Sequence, residues 1–142
     1  RPRVYFEEWF DPLISGIRWV EELIEIAGGQ PIFPELRHFQ GAKDRIIDSN
    51  KVIEANPQVV IGSWCGKVIK KDLIRSREDW ENIEAVRNNN IYEVKSAYIL
   101  QPGPASLTEG IRQIHQILAK VAGVEIEENL KPLEKMDKDL SN

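Results

Sequence analysis

Short apolar runs alternate with stretches of helical period along this 142-residue chain. Val59-Val60-Ile61 is β-branched and uninterrupted, and it predicts a buried strand. Arg3 to Phe6 and Ile91 to Val94 predict two more strands, and a short fourth is expected around Ile32-Phe33. Between them, Leu13, Ile17, Val20, Leu23, Ile24 and Ala27 recur at helical spacing. They predict one helix from Leu13 to Ala27, stopped by Gly28-Gly29 and Pro31. A second helix is predicted over Asp48 to Ala55, with Asp48 or Ser49 at its start and Asn56-Pro57 ending it. Lys70 to Asn88 predicts one or two helices with Trp80, Ile83 and Val86 on one face. Leu107, Ile111, Ile114, Leu118 and Val121 mark a long, strongly periodic helix.

Strands that alternate with helices require crossover connections, and crossovers give parallel pairing. The expected fold class is therefore α/β: a three-layer α/β/α lobe, Rossmann-like, around a small, mostly parallel central sheet. Residues 1–124 are expected to form the lobe, and residues 125–142 a polar terminal helix or tail.

In a parallel sheet the carboxyl ends of the strands share one edge, where open α/β folds bind ligands. Aromatic residues follow three of the expected strands: Trp9 and Phe10 in a loop from Glu7 to Pro12, Trp64 after Ile61, and Tyr98 after Val94. Flat aromatic surfaces at such an edge suit a large, flat, partly apolar ligand. Glu7 and Glu8 have two readings, a solvated loop or hydrogen-bond acceptors in a ligand cleft. Arg18 and Trp19 fall in the first turns of the first helix. Arg18 could meet an anion or an amide-bearing ligand; Trp19 is either core or ligand wall. Trp80, at helical spacing with Ile83, reads as core.

Phosphate backbones need a basic face, and a net charge of -4 argues against one, so nucleic acid is not an expected partner. No run of 18 apolar residues spans a membrane. Gly28-Gly29 follows a helix rather than a strand, and Cys65-Gly66-Lys67 lacks the remaining glycines and hydroxyl of a phosphate loop. The single cysteine, Cys65, excludes an internal disulfide. As a nucleophile it lacks a His or acid at a telling spacing, so inert packing is the expected role. His38, His115 and Cys65 show no metal-ligand spacing, and His115 reads as half-buried and structural. No enzyme activity and no resident cofactor are expected. The opening at Arg1 rather than Met reads as a mature, trimmed or partial chain.

Several segments together resemble the carboxyl-terminal lobe of class III periplasmic binding proteins, the solute-binding components of ABC importers. They are Glu8-Trp9-Phe10-Asp11-Pro12, Arg18-Trp19-Val20-Glu21-Glu22-Leu23 and Ala27-Gly28-Gly29, then Val52 through Asn56-Pro57 to Ile61, then Trp64-Cys65-Gly66. Ala85-Val86-Arg87-Asn88 with Ile91 to Val94, and Pro102-Gly103-Pro104 with Glu109-Gly110, complete the set. The resemblance covers Arg3 to Ala122 and is best to the cobalamin-binding subgroup. It implies a cobalamin-like, haem or ferric siderophore ligand held between two lobes. Trp9, Trp19, Trp64 and Tyr98 would line one wall with Phe10 and Cys65, and Glu8 and Arg18 would be its polar members. It also implies a periplasmic or extracellular location, membrane-anchored at full length, and an ABC permease as partner. Two departures bear on those implications. Asn50 stands where the family places a permease-pairing glutamate, and Ala105 stands where an arginine follows Pro104. A different role, homodimerisation through the cleft face, is the alternative expectation.

Overall fold

The computed structural model describes residues 1–16, 18–38, 42–64, 66–95 and 108–123. The chain begins with strand β1 (Arg3–Phe10), turns into β2 (Leu13–Ser15) and enters helix α1 (Arg18–Ile26). A two-residue strand, β3 (Gln30–Pro31), and two 3-10 turns lead to α2 (Ser49–Ala55) and β4 (Val59–Gly62). Helices α3 (Lys71–Arg75) and α4 (Glu84–Arg87) flank a further 3-10 turn and precede β5 (Ile91–Glu93). Residues 108–123 form the last described helix, α5.

The sheet runs β2-β1-β4-β5, and β3 also pairs with β1. β1, β4 and β5 are mutually parallel, as is β3 with β1; β2 alone is antiparallel. Val4 pairs with both Pro31 and Val59, and Glu7 with both Ser15 and Gly62, so β2 and β3 share the edge of β1 opposite β4. This is the mostly parallel α/β lobe that the alternation of elements predicts.

Because both faces are covered, both side-chain rows of the central strands are apolar. Val4, Phe6, Val59 and Ile61 face one layer, with Val20, Leu23 and Ile24 of α1 and Ile114, Leu118 and Val121 of α5. Tyr5, Val60 and Ile91 face the other, with Val52, Ile74, Trp80, Ile83 and Ala85. The Asn56-Pro57 pair works structurally. Asn56 takes the left-handed conformation (φ 47°) that closes α2, and its side-chain oxygen accepts the Glu84 N–H at 2.8 Å, capping α4. At the far end of α1, Gly28 (φ 101°) makes the stop, with Gly29 N–H bonded to Ile24 O at 2.8 Å.

Three local expectations are corrected. The helix expected from Leu13 begins at Arg18, because Leu13 to Ser15 pair with β1 as the return strand of a hairpin. The segment from Glu7 read as a loop is strand through Phe10. The expected short strand falls at Gln30–Pro31, two residues earlier than Ile32-Phe33. The helical region from Lys70 is broken into α3, a 3-10 turn and α4, with Trp80 and Ile83 fully buried as core. The expected tail at 125–142, and Leu107 at the start of the last predicted helix, lie outside the described residues.

Candidate functional site

One row of residues, Glu7–Gly62–Glu93, crosses the sheet at its carboxyl edge. β1 does not stop there. Residues Trp9 and Phe10 continue past that row, paired only with Ile14 and Leu13 of β2. Glu8 is the extra residue of a bulge between Glu7 and Trp9, and bulges of this kind re-aim the side chains that follow. The hairpin thus lifts two aromatic rings above the end of the sheet. The Trp9 and Phe10 rings lie 4.7 Å apart, and Phe10 lies 4.6 Å from Trp64, both pairs tilted by nearly 40°. Such offset aromatic contacts are favourable beyond the area they bury. Lys67 caps the stack, its Nζ 5.7 Å from the Trp9 centroid and 5.4 Å from that of Phe10.

The three rings are not equally available. Trp9 and Phe10 are half-buried, whereas Trp64 is only 2% exposed and belongs to the core. Its indole N–H donates to Glu7 Oε2 at 2.9 Å. Glu7 itself is wholly buried and accepts from three directions. Tyr5 Oη donates to Oε1 at 3.0 Å, and Arg77 grips both oxygens at 2.7 and 3.0 Å. The Arg77 guanidinium in turn lies 4.5 Å from the Trp80 ring centre. A bidentate, ring-stacked guanidinium is the arrangement that best matches a buried carboxylate. Glu7 therefore holds Trp64, and through it Phe10, in place.

Burial, and after it the negative charge of Glu7, push the Tyr5 phenol well above its ordinary value. The stability tied to that proton is complete below about pH 10, where tyrosine of the unfolded chain titrates. It is lost as pH rises further, because the unfolded chain releases the proton first. We expect urea midpoints to fall on raising the pH above about 10, and Tyr5→Phe to flatten that fall. The same variant should lose about 2 kcal/mol at neutral pH for the missing donor to Glu7. An alkaline limb identical in both proteins would remove Tyr5 as its cause.

Glu8 is engaged elsewhere: its carboxylate pairs with Arg45 Nη1 at 2.6 Å, and that nitrogen also donates to Ser15 O at 2.5 Å. The pair ties the bulge to the 3-10 turn at Ala42–Arg45. Trp19 is partly buried against the α1/α5 core layer. Among the expected site residues the structure brings together Trp9, Phe10 and Trp64. Cys65, Tyr98 and the Arg18 side chain lie outside the described residues. Two residues of this region were missed. Arg77 sits 70 positions from Glu7, and no local pattern joins them. Lys67 stands two residues past Cys65 in the loop after β4, and a cation so near an aromatic run was the available signal.

Between the ends of β4 and β5 lies an open depression of about 250 Å3, floored by Trp64 and Val94 and bordered by Lys67 and Lys95. Gly62 leaves room beneath the loop, since a Cβ there would meet Ile69 Cγ2 at 2.8 Å. Ile69 N–H bonds Glu93 Oε2 at 2.8 Å, pinning the loop to the last residue of β5. Among the described residues no group of three His, Cys, Asp or Glu side chains could hold a metal ion. Nor is any described helix long and apolar enough to cross a membrane.

The mostly parallel α/β fold is also found in solved structures. The fold matches a possible iron-binding, periplasmic solute-binding protein from Staphylococcus epidermidis with a TM-score of 0.70 at 20% identity, over 83% of this chain and 45% of that one. It matches the periplasmic vitamin B12 binding protein BtuF of Vibrio cholerae with a TM-score of 0.64 at 19% identity, over 85% and 45%. An ABC-type Fe3+-hydroxamate transport protein from Saccharomonospora viridis matches with a TM-score of 0.66 at 18% identity, over 83% and 41%. The chain thus spans less than half the length of these solved proteins. No curated protein matches the sequence at a significant level. The sequence profile of the family described as Periplasmic binding protein matches residues 1–98. With that match over most of the chain, and the fold agreeing, the chain belongs to the class III periplasmic binding proteins.

Proposed function

We propose that this chain is the carboxyl-terminal lobe of a solute-binding protein serving an ABC importer, and that it holds one face of a metal-chelate ligand, cobalamin-like or an iron complex. The observation that carries this reading is the Trp9–Phe10–Trp64 stack at the carboxyl edge. Its half-buried outer rings offer a flat, apolar wall where α/β sheets bind ligands. The mechanism is capture without chemistry. Aromatic faces cover apolar ligand surface, polar groups at the rim orient it, and no bond is made or broken.

A single wall leaves the opposite ligand face in water, so tight binding requires a second lobe. The family implies a periplasmic or extracellular setting. A permease would meet this lobe at the exposed start of α2, where Asp48 caps the helix and Asn50 carries no charge. An uncharged residue there weakens any charge-assisted pairing with permease arginines.

The test is a titration of the protein expressed from its complete gene with cyanocobalamin, haemin and a ferric hydroxamate, read by tryptophan emission. Saturable quenching by at least one of them is expected. Failure of all three to bind would remove the reading.

A further inference from the structure

We propose that the depression between β4 and β5 is a subsite for the carboxylate arm of the ligand, so that the preferred chelate is anionic rather than neutral. The inference rests on the binding role above and names the ligand class for the same site. Lys67 and Lys95 border the depression, and neither forms an ion pair among the described residues. The one acid there, Glu93, spends Oε2 on the Ile69 N–H. Two ammonium groups therefore face one committed carboxylate.

A second observation is independent of those charges. Ser63 lines the same depression, is 1% exposed, and its Oγ has no partner among the described residues. A buried hydroxyl without a partner is costly, and a ligand oxygen would satisfy it. Trp64 and Val94 supply an apolar floor that strengthens any such bond.

Size separates the two halves of the site. At about 250 Å3 the depression is below the range of pockets that enclose a whole cofactor, yet ample for a carboxylate arm. The macrocycle or metal core would lie on Trp9 and Phe10. Lys67 links the halves, because its ammonium now rests over those two rings. A cation–π contact at an exposed site is weaker than a charge-assisted hydrogen bond. An arriving carboxylate would draw Lys67 off the rings and open their faces to the chelate.

The experiment compares haemin and ferric citrate, which carry carboxylates, with the neutral ferric trihydroxamate ferrichrome, on the protein expressed from its complete gene. The carboxylate-bearing probe is expected to bind about tenfold or more tightly than the neutral one, and more weakly as salt rises. Lys67→Gln/Lys95→Gln should cost it about tenfold in affinity, and Ser63→Ala a smaller loss. Haemin responding alone names a tetrapyrrole as the source of the carboxylate, and ferric citrate alone an open-chain chelate. Equal affinity of the double variant and the parent for a carboxylate probe overturns the subsite while leaving the binding role intact. Absence of binding by every probe overturns both.

Discussion

Glu7→Gln is expected to destabilise the fold by about 3–5 kcal/mol, because it leaves Arg77 buried opposite a neutral amide. The side chain of Arg77 is 13% exposed and Glu7 is fully enclosed, so solvent screens the pair little. Coulomb attraction is the smaller part of the argument. The carboxylate also takes hydrogen bonds from Tyr5 and Trp64, and an amide has only one oxygen to offer all three donors. For a chain of this size the loss corresponds to roughly 10 °C in melting temperature. Glu7→Leu combined with Arg77→Leu should recover only part of it, since the charged pair is removed whole while the buried Tyr5 and Trp64 donors still lose their acceptor. Urea unfolding of the single and double variants checks both statements. A single-variant loss below about 1 kcal/mol would show that the network is not what secures this layer.

The second large effect separates two tryptophans that look alike in sequence. Trp64→Ala is expected to cost about 3–5 kcal/mol of stability, as a fully packed aromatic ring is deleted and Glu7 loses a donor. Trp9→Ala should cost about 1 kcal/mol or less, since its ring is half solvated. Binding should rank them the other way once stability is allowed for. Trp9→Ala is expected to weaken the chelate about tenfold or more, because the ring it deletes is the exposed face of the stack. Parallel urea and tryptophan-quenching titrations decide the matter. Full binding by Trp9→Ala would move the ligand wall away from the hairpin.

The layers of the lobe were legible in the sequence, and the details of its ligand edge were not. Val59 to Ile61 and the Ile114, Leu118 and Val121 series are long or pure enough to name their own element, and each is buried as its period requires. Leu13 misled because a three-residue return strand and a helix start both place an apolar side chain inward there; only pairing with Phe10 distinguishes them. Trp9 and Phe10 were legible as site candidates from their place after an apolar run. That they stand on strand rather than loop depends on β2, a contact between segments. Glu7 read as solvated loop or cleft acceptor, yet it shares a row with Tyr5 on a face that helices cover, and period two alone places it inside. Its partner Arg77 is distant in sequence, which is why a carboxylate in a core row looked like a cleft acceptor.

The hairpin extension of β1 has a consequence for the entropy of recognition. Trp9 and Phe10 are the last residues of the strand that also pairs with β3 and β4, and the ring beneath them is clamped by a buried carboxylate. Ligand walls made of free loops lose conformational freedom at the moment of binding. Here that freedom was surrendered on folding, so a guest meets a surface already shaped. Association with this wall would proceed with little ordering of the backbone, and selectivity would reside in the stiffness of the strand as much as in the chemistry of its rings.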